Sequence, residues 1–323
     1  MVDLRLTVAG HTECYSGTLA GQRTLSSLAC SHLETNENAK SLTLLPAESE
    51  ALPAQDASTG IEIHAELEAQ PITLRAVHTL QRSYFTRPDT SFWVDADGSC
   101  AALTHCAHNP VPWRVGPLLI LALARLGVYC LHASAVLTAR SASTSAVLTA
   151  RPASTSAVLS DGDAAATVFV GHSGAGKSSL ARAVSKRAGA QRLCDDITPI
   201  ALRAGRLYVL PRFPQLKLSA VDQNLPEWVP LKRLVLLNAA QTERASEHKA
   251  LTQRELFEAL TRHTVATRLY SATDTRIWWQ VLPQIMAALS DARSIRPAFD
   301  AQAPEQAMLA AFDALDALDT LCG

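Results

Sequence analysis

Charge is scarce in this chain, and it is balanced. Only 18% of the 323 residues are charged, and 29 basic against 30 acidic residues leave a formal net charge of −1. No bulk basic field is available to draw in nucleic acid or anionic lipid. The seven cysteines are odd in number and none has a C-x-x-C partner, which excludes a zinc ribbon or a thioredoxin-type redox pair. Cys106 and His108 lie close together, but the second ligand pair that zinc spacing requires is missing, so the cysteines read as scattered reduced thiols. The opening residues Met1-Val-Asp-Leu-Arg-Leu6 lack a basic-then-apolar signal pattern. The most apolar segment, Val115 to Leu123, meets Arg125 well short of the roughly 20 residues that a membrane span needs. It reads instead as a core-packed helix, opened by Gly116-Pro117 and closed near Gly127. These absences point to a cytoplasmic protein with neither nucleic acid nor membrane as partner.

One stretch decides more than all the absences together. Gly171-His172-Ser173-Gly174-Ala175-Gly176-Lys177-Ser178 fits G-x-x-x-x-G-K-[ST], the Walker A or P-loop pattern. Its surroundings fit too. The apolar run Ala165 to Val170 leads in as a buried strand, and Ser179 to Ala188 leads out as a helix with Gly189 placed to end it. In that geometry successive backbone N–H groups and the positive end of a helix surround a polyphosphate. Lys177 would reach the terminal phosphates, and the Ser178 hydroxyl would ligate Mg²⁺. A nucleotide is the expected ligand.

The length suggests two domains, and the 48% hydrophobic content is ordinary for a globular chain. Residues 1 to 110 form a strand-rich N-terminal region, with alternating runs at Leu4–Val8, Ile61–Ala65 and Phe92–Asp95. Residues 111 to 323 form the nucleotide domain. Within it, Val128 to Val136 reads as a strand, after which a short sequence repeats. Ser134-Ala-Val-Leu-Thr-Ala-Arg140 recurs from Ser145 and, in part, from Ser156, with a period of eleven residues. The unit is too short for a solenoid and has the look of tandem expansion of coding DNA. Removing residues 134–155 leaves a plain hairpin, so these residues are expected to inflate a surface loop, where closure entropy grows slowly with length.

Downstream, Gln191 to Pro199 reads as a short strand ending in Asp195-Asp196, and Arg206–Leu210 and Leu234–Leu237 read as further strands. Thr252 and Glu255 make a capping-box start for the helix carrying Leu256 and Leu260. Residues 275–321 show apolar stripes at helical spacing, among them Ile277, Val281 and Ile285. Phosphoryl transfer requires charge neutralisation and a base near the attacking oxygen more than covalent help from the protein. Asp195 and Asp196 can divide those roles, one beside the metal and one facing an acceptor hydroxyl, provided the strand has ended there. The alternative is a turn-capping acidic pair. His132 is a lone histidine in an apolar strand. Pairing of that strand with Ala165–Val170 would bring it to the nucleotide end, where it could hydrogen-bond a catalytic aspartate. Otherwise it is a core histidine with its bonds satisfied.

Leu131-His-Ala-Ser-Ala-Val136, the loop with its following Ser179-Leu-Ala181, and Leu193-Cys-Asp-Asp196, in that order, resemble the catalytic domain of the HPr kinase/phosphorylase family. The likeness is greatest to the divergent HPr-kinase-like proteins found beside peptide-modification genes, and it covers roughly residues 115–240. It implies an α/β fold of the HPr kinase/phosphoenolpyruvate carboxykinase type, a mixed, strand-rich sheet flanked by helices. It also implies that residues 171–179 hold the phosphates of ATP and that His132 assists the base. Asp195 is assigned as that base, and Asp196 with Ser178 to Mg²⁺; the reverse order of the two aspartates stays open. Ser179 stands where other members carry Glu, and no Gly-Arg-Asn segment follows, with Arg212 a distant substitute. Whether phosphorolysis is retained, and whether HPr itself is the substrate, therefore stays open.

The function implied is an ATP- and Mg²⁺-dependent serine kinase acting on a protein or peptide, such as a lasso-peptide precursor. Hexameric relatives leave room for a homo-oligomer. A small-molecule hydroxyl kinase is a close variant, and an ATPase or switch without a phospho-acceptor is the other class. Against the latter stand the lack of an Asn-Lys-x-Asp guanine-reading segment, of a Leu-Ser-Gly-Gly transporter signature, and of a long strand ending Asp-Glu.

Overall fold

A computed structural model describes residues 6–8, 11–13, 61–67, 70–86, 90–96, 100–104, 119–139, 164–187, 189–211, 228–238, 247–297 and 303–322. The Cys106–His108 pair, Arg212, and the second and third repeat copies lie outside the described residues. The chain forms two compact units, residues 1–129 with 266–279 and residues 130–265 with 280–323.

The first unit holds a short hairpin, β1 (Leu6–Val8) and β2 (His11–Glu13), and a five-stranded antiparallel meander. The meander runs β3 (Ile61–Leu67), β4 (Gln70–His78), β5 (Arg82–Thr86), β6 (Thr90–Asp95) and β7 (Cys100–Thr104). Alternation drives it: on β5, Ser83 and Phe85 are buried while their neighbours are half-exposed. A helix, α1 (Leu119–Arg125), follows. Its last residue anchors the unit. Arg125 Nε and Nη2 each donate to one oxygen of Asp274 at 3.0 Å, and Nη2 also donates to Ser83 Oγ at 2.6 Å. Asp274 in turn accepts from Ser271 N and Oγ, closing the cap of the helix that begins at Ala272. A buried guanidinium is tolerated here because its donors meet a bidentate carboxylate and further acceptors.

The second unit is mixed α/β, with a strand-rich mixed sheet flanked by helices. Its elements are β8 (Val128–Ala139), β9 (Ala164–Gly171), α2 (Lys177–Ser185), β10 (Ala190–Cys194), β11 (Ile197–Arg203), β12 (Arg206–Val209), β13 (Val229–Leu237), β14 (Glu247–Ala250), α3 (Gln253–His263), α4 (Ala272–Ala288), β15 (Asp291–Arg296) and α5 (Pro304–Cys322). The unit boundaries fall inside β8 and α4. β9 is an almost wholly apolar strand, and it runs parallel to β13, itself parallel to β15, as a strand buried on both faces should. The remaining pairings that the register defines, β8 with β9 and β10, β12 with β11 and β13, and β14 with β15, are antiparallel. Because β11 also neighbours β8, the pairings β8–β9–β13–β12–β11 return to their start. Leu180, Ala181 and Val184 of α2 pack with Phe169, Val235 and Leu237 of the sheet and with Ala311, Phe312 and Leu315 of α5. Phe169 and Phe312 meet edge to face, 5.7 Å between centroids.

Several expectations need adjustment. α2 ends at Ser185, so Gly189, at φ +74°, shapes the turn into β10 and is not the residue just past the helix. β11 and β15 were not anticipated. Pro199 disguises the first, and the polar run Asp291-Ala-Arg-Ser-Ile-Arg divides residues 275–321 into two helices with a strand between. The first repeat copy does not belong to a loop. Ser134 to Ala139 complete β8, paired with Thr138↔Ala165 and Ala139↔Ala164, and Ser134, Ala135, Val136 and Leu137 are fully buried. These residues alternate Ser-Ala-Val-Leu against an apolar partner strand, so they extend the sheet. The connection between the strands is residues 140–163.

Deleting residues 134–155 tests this assignment, because Ser156-Ala-Val-Leu159 then follows Ala133 in place of the identical Ser134-Ala-Val-Leu137. The expected result is a melting temperature within about 3 °C of the parent, equivalent to less than about 1 kcal/mol. Loss of cooperative unfolding would show that the intervening copies contribute to the core.

Candidate active site

β9 ends at Gly171 directly beside Leu237 of β13. A Cβ at Gly171 would lie 2.6 Å from the Leu237 carbonyl oxygen, so close approach of two parallel strands demands glycine here. The chain then turns through Gly174 (φ +80°) and Gly176 (φ +91°), the latter serving as N-cap of α2 with no side chain capping the helix. The first-turn N–H groups of α2 are thus left to the loop and to whatever it holds. His172, Ser173 and Gly174 are exposed; Ala175, Gly176, Ser178 and Ser179 are half-buried. Lys177 is buried and curls back, Nζ donating to the carbonyls of Gly171 at 2.8 Å and His172 at 3.1 Å. The lysine and the backbone donors are gathered on one short ring of chain. Glycines at positive φ, an uncapped helix start and a lysine held by exchangeable carbonyls fit a polyphosphate.

The β8–β9 register pairs Ala133 with Val170, which puts His132 next to the residue opening the loop. His132 Nδ1 lies 3.4 Å from Asp196 Oδ1, and both side chains are part-exposed. β10 ends at Cys194, so the two aspartates occupy a bend rather than a strand, and they diverge. Asp195 turns inward and is 2% exposed. Ser134 Oγ donates to its Oδ1 at 2.7 Å, and Arg192 forms an ion pair with its Oδ2. Asp196 turns outward on a left-handed backbone, φ +79°, which costs a non-glycine residue about 1 kcal/mol. Its carbonyl accepts from Ala133 N at 3.2 Å, and Thr198 Oγ1 donates to Ala133 O at 3.0 Å, so the bend is fastened to β8 on both sides of the residue.

A third element reaches the loop without having been foreseen from the sequence. α3 starts with the expected capping box between Thr252 and Glu255 and ends at His263. Beyond it, Thr264 bridges Leu131, and Val265 N donates to Cys130 O at 2.8 Å. This stitch carries the end of α3 to the loop. Arg262 Nη1 lies 3.3 Å from His172 Nε2, and the rings of His172 and His263 meet at 6.0 Å and 76°. His263 is 6% exposed. Burial pushes its imidazole down to about 4, helped by the positive groups Lys177, His132, His172 and Arg262. The only signal in the sequence was an Arg-His pair at the end of a well-capped helix. Arg192 and Ser134, which fix Asp195, were equally silent.

No protein-family model matches this chain, and no curated protein matches it. Among the described residues no group of three or more His, Cys, Asp or Glu side chains is placed to hold a metal, and no helix is long and apolar enough to cross a membrane.

Two measurements follow from this geometry. The unfolded chain takes up a proton on His263 near pH 6.5 that the folded protein refuses until about 4, so stability falls as pH drops through that window. The His263 share is on the order of 2–3 kcal/mol, and His263→Gln should flatten the urea-midpoint profile between those pH values. Asp195→Asn should lower stability by about 2–3 kcal/mol in urea unfolding, because it leaves the Arg192 charge on β10 without its carboxylate. An unchanged midpoint would remove Asp195 from its structural role.

Proposed function

We propose that the protein is an ATP- and Mg²⁺-dependent kinase that phosphorylates a serine hydroxyl of a protein or peptide. The observation that carries the reading is the meeting of the glycine loop with the His132–Asp196 pair at one end of β8 and β9. Residues Gly171 to Ser179 would hold the phosphates, with the Ser178 hydroxyl directed to Mg²⁺. Bound ATP would supply the phosphoryl group, and Mg²⁺ would neutralise its charge. Lys177 would exchange the Gly171 and His172 carbonyls for phosphate oxygens.

The division of labour between the aspartates follows from their surroundings. A general base needs access to the proton it removes. Asp195 is enclosed and doubly engaged, whereas Asp196 is part-exposed, with its Oδ1 3.4 Å from His132 Nδ1. Asp196 is therefore the better base, reversing the order first assigned. It would take the proton of the serine hydroxyl as that oxygen bonds to phosphorus and the bond to the leaving ADP breaks. His132, with its proton on Nδ1, would hold the Asp196 carboxylate toward the acceptor. A homo-oligomer and a ribosomally made peptide as acceptor are parts of this proposal that rest on the resemblance, and a cytoplasmic setting is the part that rests on the sequence's composition.

Intact-mass spectrometry after incubation with ATP, Mg²⁺ and a candidate serine peptide tests the reading. One added phosphoryl group is expected with the parent protein. Asp196→Asn should reduce transfer by 10²-fold or more, in line with loss of a positioned base, while keeping nucleotide binding within about threefold. Lys177→Ala should weaken binding itself. ATP consumption with no acceptor gaining mass would favour the ATPase or switch class.

A further inference from the structure

Two cations, from distant parts of the sequence, converge on one loop residue. Lys177 Nζ reaches the His172 carbonyl, and Arg262 Nη1 reaches the His172 ring. We propose that Arg262 is a ligand of the terminal phosphate of the bound nucleoside triphosphate, acting beside Lys177 from the end of α3. The proposal rests on the nucleotide reading above.

Arg262 is exposed, yet it is not a loose surface arginine. The residues that follow it are tied to β8 through the Leu131–Thr264 bridge and the Val265–Cys130 hydrogen bond, and Thr264 Oγ1 donates back to Leu260 O at 2.6 Å. Its place over the loop is thereby set by the same strand that places His132. The partners of Arg262 also differ from those of its neighbours. Arg254, on the same helix, pairs with Glu258 at 2.9 Å. Among the described residues no carboxylate pairs with Arg262; its side-chain partner is the His172 ring, Nη1 to Nε2 at 3.3 Å. An imidazole nitrogen is a weaker acceptor for a guanidinium than a phosphate oxygen, which can meet the planar fork at two points. The bond to His172 is one that an arriving phosphate would replace.

The surroundings favour an anion at this point. Lys177 and Arg262 stand against His172, and His263 beneath them is kept neutral in part by their charge. Such a gathering of like charge lowers stability in the free protein and gains from a polyanion. Lys177 of a phosphate loop addresses the β- and γ-phosphates. A second cation at the same residue therefore bears on the far end of the polyphosphate and not on the base or sugar. Arginine in this place neutralises the charge that spreads over the transferred group, a role it fills in other nucleotide enzymes.

Calorimetric binding of ATP and of ADP, each with Mg²⁺ and no acceptor, decides the matter. The parent protein is expected to prefer ATP. Arg262→Gln should weaken ATP binding tenfold or more while moving ADP binding by less than threefold, so that the preference disappears. Arg262→Lys should restore part of it. Circular dichroism and a thermal melt of both variants confirm folding; the arginine is exposed, so neither should shift. An ATP preference intact in Arg262→Gln overturns the assignment, as does an equal loss for both nucleotides. A parent protein that binds neither nucleotide overturns the nucleotide reading and this proposal with it.

Discussion

The enclosed carboxylate of Asp195 governs the geometry of the candidate site. Burying a charge is tolerable only when it is paired and its remaining lone pairs are met. Asp195 satisfies both conditions, through Arg192 on β10 and Ser134 on β8. Locked there, it fixes where β10 stops and β11 begins. The next residue takes a left-handed backbone, φ +79°, and faces His132. The part-exposed aspartate follows directly from its enclosed neighbour.

β8 is the common support. It pairs with β9, which feeds the glycine loop; with β10, which delivers the aspartates; and with the segment after α3, which delivers Arg262 and His263. Each group lies on a strand or helix or within three residues of one, so the sheet sets their positions. The first unit is organised on a different anchor, the Arg125–Asp274 pair with its cap at Ser271.

Much of this was legible in the sequence, and the parts that were share a cause. Gly171, Gly174, Gly176 and Lys177 answer to local rules: a glycine where no Cβ fits, a lysine one step into a helix. Thr252 and Glu255 likewise declare a helix start within four residues. The pairing of His132's strand with Ala165–Val170 was inferred because the two are sequence neighbours once the repeat is discounted. What stayed hidden depends on contacts across long separations. Nothing near Asp195 announces that Ser134 will cap it, and nothing near Arg262 announces His172, 90 residues away. The fate of the first repeat copy was misjudged because identical copies cannot be told apart until one of them is seen to fill the sheet.

The left-handed backbone at Asp196 has a consequence for how the chain can vary. A glycine or asparagine would occupy that conformation with less strain, so the position is one where drift toward a sturdier protein is always open. An aspartate there carries strain that its contact with His132 must offset within the fold. Asp196→Gly is the substitution that would relax the backbone and remove the carboxylate in one step.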